Sequence, residues 1–119
     1  MAQPQRTRLN LTEIDGYLIV NLPAVLSDPL LQAHYNEIRQ RVETEHYRGV
    51  ILNLSAVSLL DYGSLQRIRR ICQANTLLGS NTVLSGVKAS IAAYLASLPE
   101  PFDDLIFCQD TETAKRACG

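Results

Sequence analysis

The sequence is poor in excess charge, in long apolar runs and in paired cysteines. Its 119 residues carry 11 Lys and Arg against 12 Asp and Glu, for a net charge of −1. That removes the basic excess by which nucleic-acid binders hold phosphate backbones and peripheral proteins hold anionic membranes. It leaves room only for a local basic patch. No stretch approaches the roughly 20 apolar residues of a membrane-spanning helix. The opening MAQPQRTRLN has no apolar core of the signal-peptide kind. A cytoplasmic protein is expected. Cys72, Cys108 and Cys118 form no CxxC pair, and an odd number suits a reducing compartment better than a disulfide framework. They are expected as two core or semi-buried thiols and one thiol on a frayed tail. His34 and His46 fall on one predicted helical stretch, too far apart to share a metal, and are expected at the surface or an interface. Enzymatic signatures are also missing. There is no GxxxxGK[ST], no GxGxxG and no GxSxG. The paired carboxylates Asp103 and Asp104 sit in a proline-rich loop and read as a solvated turn, with no acid–base partner. Neither a cofactor nor a metal is implied.

What is present is the composition of an ordinary globular domain: 46% hydrophobic and 19% charged residues. The length suits a single domain over residues 1–119, with 1–6 as a flexible lead-in. From Arg8, residues Leu9, Leu11 and Glu13 alternate with Arg8, Asn10 and Thr12, a strand pattern. Asp15-Gly16 reads as a hairpin turn, because glycine accepts a positive φ at little cost. A nearly continuous apolar strand, Tyr17 to Leu22, follows and ends at Pro23. Ser27-Asp28-Pro29 opens a helix with a capping oxygen and a first-turn proline. Leu31, Tyr35, Ile38 and Val42 then form one stripe, and the helix is expected over about 28–45.

Gly49 to Leu54 reads as a central strand buried on both faces. A loop from Ser55 to Gly63 leads into a second helix, expected from about Ser64 to Leu77 and stopped by Gly79. A strand over 81–85, a short helix around Ile91, Leu95 and Leu98, a strand over 105–108 and a last helix over 110–117 complete the order β-β-α-β-α-β-α-β-α. Strict alternation after the hairpin argues for an α/β fold with a mostly parallel sheet.

One segment stands out, Leu59-Leu60-Asp61-Tyr62-Gly63-Ser64-Leu65, which lies where the loop after a parallel strand meets a helix. That edge of an open α/β sheet is where ligands and partners bind. A purely structural account is also open: Asp61 or Ser64 caps the helix and Gly63 permits the turn. Arg67, Arg69 and Arg70 follow early in the same helix. They read either as a solvated face or as a basic edge for an acidic partner or a phosphate. They span more than half a turn, so all three cannot point one way.

The segments DGYLIVNL, GVILNLSAVSLLD, LLGSNTVLSGVKASIAAYL and, more weakly, DTETAKRA resemble the STAS family, and within it the RsbS-type domains of bacterial stress signalling. The resemblance runs from about Arg8 to the C-terminal helix. It implies the STAS (SpoIIAA-like) fold and a non-enzymatic scaffold in a stressosome. Its implied partners are RsbR-like paralogues and an RsbT-like serine/threonine kinase, in a homo- or hetero-oligomer. Such domains are released from their kinase by phosphorylation at the residue after the loop aspartate. Asp61 matches that aspartate, but Tyr62 replaces the serine or threonine, and Ser64 stands two positions late. Either Ser64 is a displaced acceptor, or the switch at this position is lost. The second is favoured. Arg67 and Arg70 are candidate partner contacts. Asn53 stands where many relatives have aspartate. The alternatives are a small dimeric antagonist of one anti-sigma kinase, an accessory subunit of a lipid transporter and, least favoured, a small-molecule binder or enzyme using Asp61 to Ser64.

Overall fold

A computed structural model of the chain describes residues 10–26, 28–99 and 104–118. The expected lead-in, the strand start at Arg8, the Ser27 cap, Pro101 and Asp103 lie outside the described residues. In chain order the elements are β1 (Asn10–Ile14), β2 (Tyr17–Asn21), α1 (Asp28–Glu45), β3 (Gly49–Asn53), α2 (Tyr62–Leu77), β4 (Thr82–Ser85), α3 (Ala89–Ala96), β5 (Phe107–Cys108) and α4 (Thr111–Cys118). The alternation expected from the sequence is thus present, element by element.

The hairpin forms because Asp15 and Gly16 both adopt a positive φ, 55° and 85°. That pair of left-handed residues gives the turn whose twist matches the flanking strands. It sets the antiparallel register from Ile14↔Tyr17 to Asn10↔Asn21. The remaining pairings are parallel, and the five strands stand in sequence order β1-β2-β3-β4-β5. Each strand–helix–strand step therefore moves one place in the same direction. A common right-handed crossover then puts the three connecting helices on one face. The packing agrees: residues of α1, α2 and α3 share one core with Leu18, Val20, Val50, Leu52 and Leu84. The intervening residues Tyr17, Ile19, Ile51 and Val83 face the other way and meet Ala114 and Cys118 of α4. Period-two alternation along each strand sorts the side chains between the two layers.

α2 ends as expected. Gly79 has φ 94°, its N–H bonds Thr76, and the Ser80 N–H bonds the Asn75 carbonyl at 2.9 Å. This closes the helix's last carbonyls in a Schellman arrangement.

Three expectations are corrected here. Cys118 is not on a frayed tail: it is 5% exposed, and its side chain presses on Gly49, where an added Cβ would sit 2.6 Å from the Cys118 Cβ and Sγ atoms. His34 is not at the surface. It is 3% exposed on the inner flank of α1, and burial holds its pKa below the usual value. His46 lies beyond α1, exposed, at φ 59°. Asp104 is not a free solvated carboxylate, because Arg69 grips it through Nε and Nη2 at 2.7–3.1 Å. That contact joins residues 35 apart, beyond the reach of local sequence patterns.

Candidate functional site: the start of the second central helix

The loop between β3 and α2 is pinned from beneath and displayed on top. Val57 and Leu60 are buried, at 0% and 5% exposure, and anchor the loop in the main core. The Ser58 N–H donates to the Ala24 carbonyl at 3.1 Å, which ties this loop to the one before α1. Between the anchors the chain turns outward. Leu59 is 75% exposed, and Val25 on the tied loop is 74% exposed.

α2 begins at Tyr62, two residues earlier than expected, because Asp61 is the N-cap. Its φ of −97° and ψ of 173° are extended, and its carboxylate accepts from the Ser64 N–H at 2.7 Å. The Asp61 carbonyl accepts the first helical bond from Leu65 at 3.0 Å. The Ser64 backbone N–H, and after it the Ser64 hydroxyl, hold the Asp61 carboxyl below the usual carboxylate range. This satisfies helix-start donors that would otherwise be orphaned. Gly63, expected to permit the turn into the helix, has no positive φ. It lies inside the first helical turn, and a Cβ there would meet only Asp61 Oδ1, at an ordinary 3.5 Å.

The two hydroxyls of this segment therefore live in different surroundings. Ser64 is 4% exposed and turned back onto its own cap. Tyr62 is 40% exposed and accepts from Gln66 Nε2 at 2.8 Å, one turn on.

The three arginines divide as their angular spread requires. Arg69 turns to Asp104. Arg67 donates from Nη1 to Gln32 Oε1 of α1 at 2.9 Å. Arg67 and Arg70, three residues apart and so on neighbouring flanks, line one cavity of about 170 Å³ between α1 and α2, with Leu31, Gln32 and Tyr35. The sequence reading singled out both arginines but missed Gln32 and Tyr35, which carry no local signal. Leu59 stood in the segment that the sequence reading singled out, whereas Val25, on the loop before α1, was missed.

Asn53 closes the inner side of the site. Its Nδ2 donates to Asn21 Oδ1 at 2.7 Å, and its Oδ1 accepts from the Ser55 N–H at 3.1 Å. Asn21 in turn donates to Asn10 Oδ1 at 3.3 Å. Register places these three amides side by side across β1, β2 and β3. An aspartate at 53 would lack the N–H that Asn21 receives.

Burial pushes the Cys72 thiol up to about 12, so it is no nucleophile. Among the described residues no group of His, Cys, Asp and Glu is placed to hold a metal. No described helix is long and apolar enough to cross a membrane.

Comparison with known proteins agrees with this geometry. A serine-to-glutamate variant of RsbS from Moorella thermoacetica superposes with a TM-score of 0.77 at 18% identity, covering 93% of this chain and 94% of its own. A chain from the molecular architecture of the stressosome, a signal integration and transduction hub, gives 0.72 at 17% identity, covering 92% and 95%. The anti-sigma factor antagonist SpoIIAA in its unphosphorylated form gives 0.68 at 13% identity, covering 94% and 99%. At these identities the likeness is one of fold. No curated protein sequence matches the chain. The STAS-domain profile matches residues 8–113, nearly the whole length, and the chain therefore belongs to the STAS domain family.

Proposed function

We propose that this chain is a cytoplasmic, non-enzymatic regulatory scaffold of a bacterial partner-switching stress pathway. Its partners in this reading are RsbR-like STAS paralogues and an RsbT-like serine/threonine kinase, held in a homo- or hetero-oligomer. The observation that carries the reading is the start of α2. A firmly capped helix end displays Leu59 and Tyr62 outward, beside a loop that displays Val25. Such an edge suits contact with another protein.

The same segment carries no serine/threonine switch in this reading. A phosphate adds about −1.5 to −2 charges. A kinase must reach the acceptor oxygen, and the hydroxyl of Ser64 is buried against Asp61. A phosphate there would also face the Asp61 carboxylate at close range. Tyr62 is reachable, but its hydroxyl stands several ångströms farther from the backbone than a serine's. Partner release is therefore governed by modification of the paralogues.

A tagged pull-down from the native cells, read by mass spectrometry with phosphopeptide mapping, tests this. Recovery of RsbR-like paralogues and a serine kinase, with no phosphate on Ser64 under stress, is the expected result. Recovery of a lone anti-sigma kinase or a transporter subunit without paralogues overturns the scaffold reading.

A further inference from the structure

Helices α3 and α4 have eight residues each, yet they are fastened very differently. An isolated helix of that length does not hold in water, so each depends on what it packs against. α4 is held at several points. Asp110 caps its first turn through the Thr113 N–H at 2.8 Å, Ala114 and Cys118 are buried, and Lys115 reaches Asp15 of the hairpin at 3.0 Å. α3 has one buried residue, Ile91. Its four alanines are exposed, and Leu95 is half-buried. Its N-cap is Lys88, which is extended but makes no side-chain hydrogen bond to the helix start. Residues 89–98 carry no charge, so no ion pair of their own anchors them. Few buried apolar contacts and helical hydrogen bonds open to solvent mark a segment that opens before the rest of a fold.

The chain leading into α3 touches the loop of the candidate site. Gly86 lies so close to it that a Cβ there would sit 2.9 Å from Asn53 Oδ1 and 3.0 Å from the Ser55 nitrogen. Asn53 Oδ1 is the acceptor that holds the Ser55 N–H. The Val57 N–H, bonded to the Leu54 carbonyl at 2.9 Å, completes that turn. We propose that α3 is a detachable cover. It undocks and melts as a unit while α1, α2 and the sheet stay folded, and through Gly86 its undocking loosens the turn over residues 53–57. The step withdraws Ile91 from the main core and breaks no covalent bond or ion pair. A coupling of this kind is reciprocal, so a partner that grips the β3–α2 loop also holds α3 down. The inference goes beyond the scaffold reading and does not depend on it.

The test is native-state amide hydrogen exchange of the full chain, followed by NMR over a series of low denaturant concentrations. The amides of residues 92–96 should share one opening and exchange through it at least about tenfold faster than Ile68, Ile71 and Cys72 in the middle of α2. The Ser55 and Val57 amides should exchange through the same opening, with the same dependence on denaturant. Lys88→Ser places a preferred capping hydroxyl at the head of α3 and should slow the α3 amides about fivefold. The Ser55 and Val57 amides should slow by the same factor. Ile91→Ala should speed both sets together, by about tenfold or more. Lys88→Ser keeps the test open if the Ile91 variant fails to fold. Exchange of α3 only in step with the middle of α2 would mean that it opens with the whole fold, which overturns the proposal. Opening of α4 ahead of α3 overturns it too. So does a Lys88→Ser variant in which α3 slows while Ser55 and Val57 exchange as in the parent, because the loop would then open on its own.

Discussion

The two faces of the sheet are covered by unequal means. On one face three helices share a broad aliphatic core that reaches from Leu18 to Leu105. On the other, a single two-turn helix covers four strand residues through Ala114 and Cys118, and Gly49 lets it approach closely. The thick face also supports the candidate site, since Val57, Leu60 and Leu65 hold the β3–α2 loop and the start of α2 from below. The thin face closes the sheet and meets the site through the amide row ending at Asn53. Function should therefore be sensitive to the thick layer through stability and to the loop through contact, and nearly indifferent to α4.

The largest expected effect is on the thick face. Leu65 is fully buried under the first turn of α2, and Leu65→Ala should cost about 2–5 kcal/mol in chemical denaturation, the range for a buried leucine that leaves a cavity. Gly49→Ala comes next, on the thin face. The new methyl meets Cys118 and should cost about 1–3 kcal/mol as α4 is pushed aside. Cys118→Gly in the same chain should recover part of that loss if the contact is the cause, which a double-mutant cycle measures. A larger loss from Gly49→Ala than from Leu65→Ala would invert the comparison.

A smaller contrast lies within the site itself. Ser64→Ala removes a buried hydroxyl's bond to Asp61 and should cost about 1 kcal/mol. Tyr62→Ala, at an exposed helix-start position, should stay within about 0.5 kcal/mol, yet it should weaken partner binding where Ser64→Ala does not. Ser64→Asp should lower the melting temperature more than Tyr62→Asp, because only the first brings a charge into a buried place beside an existing carboxylate.

The smallest expected effect is a pH dependence. His34 has a folded pKa below its ordinary value of 6.5, through burial. Its unfolded form therefore takes up a proton first as pH falls. Its contribution to stability is intact above about pH 6.5 and is lost as pH drops through the folded value. The parent should thus melt earlier at pH 5 than at pH 7.5, and His34→Phe should flatten that difference. Asp61, Asp104 and Asp110 are each held below the usual value of 3.8 by their hydrogen bonds. Their contributions fall away only in more acid solution, so the two windows are separable in a pH series of melts.

What was legible in the sequence was what short-range chemistry dictates. The stripe Leu31, Tyr35, Ile38 and Val42 predicted α1 over its observed span, Asp15-Gly16 predicted the hairpin, and Gly79 predicted the end of α2. Asp61 was among the expected caps. The illegible parts depend on residues distant in sequence. No local pattern says that Arg69 will meet Asp104, that Arg67 will meet Gln32, or that α4 will fold back to bury Cys118. The burial of His34 was missed because a polar residue beside an apolar stripe reads as its outer margin, whereas here it falls inside. The early start of α2 was missed because Ser64 offered a second cap and Tyr62 and Gly63 look like loop residues beside it.

The central claim is that Ser64 belongs to the cap and that the start of α2 binds partners without being switched by serine or threonine phosphorylation. It is tested most directly by incubating the parent chain and its Tyr62→Ser variant with an RsbT-like kinase already active on an RsbS protein, and mapping phosphate by mass spectrometry. No phosphate on Ser64 of the parent, together with phosphate at position 62 of the variant, is the predicted result. Phosphate on Ser64 of the parent, or none on the variant, would contradict the account.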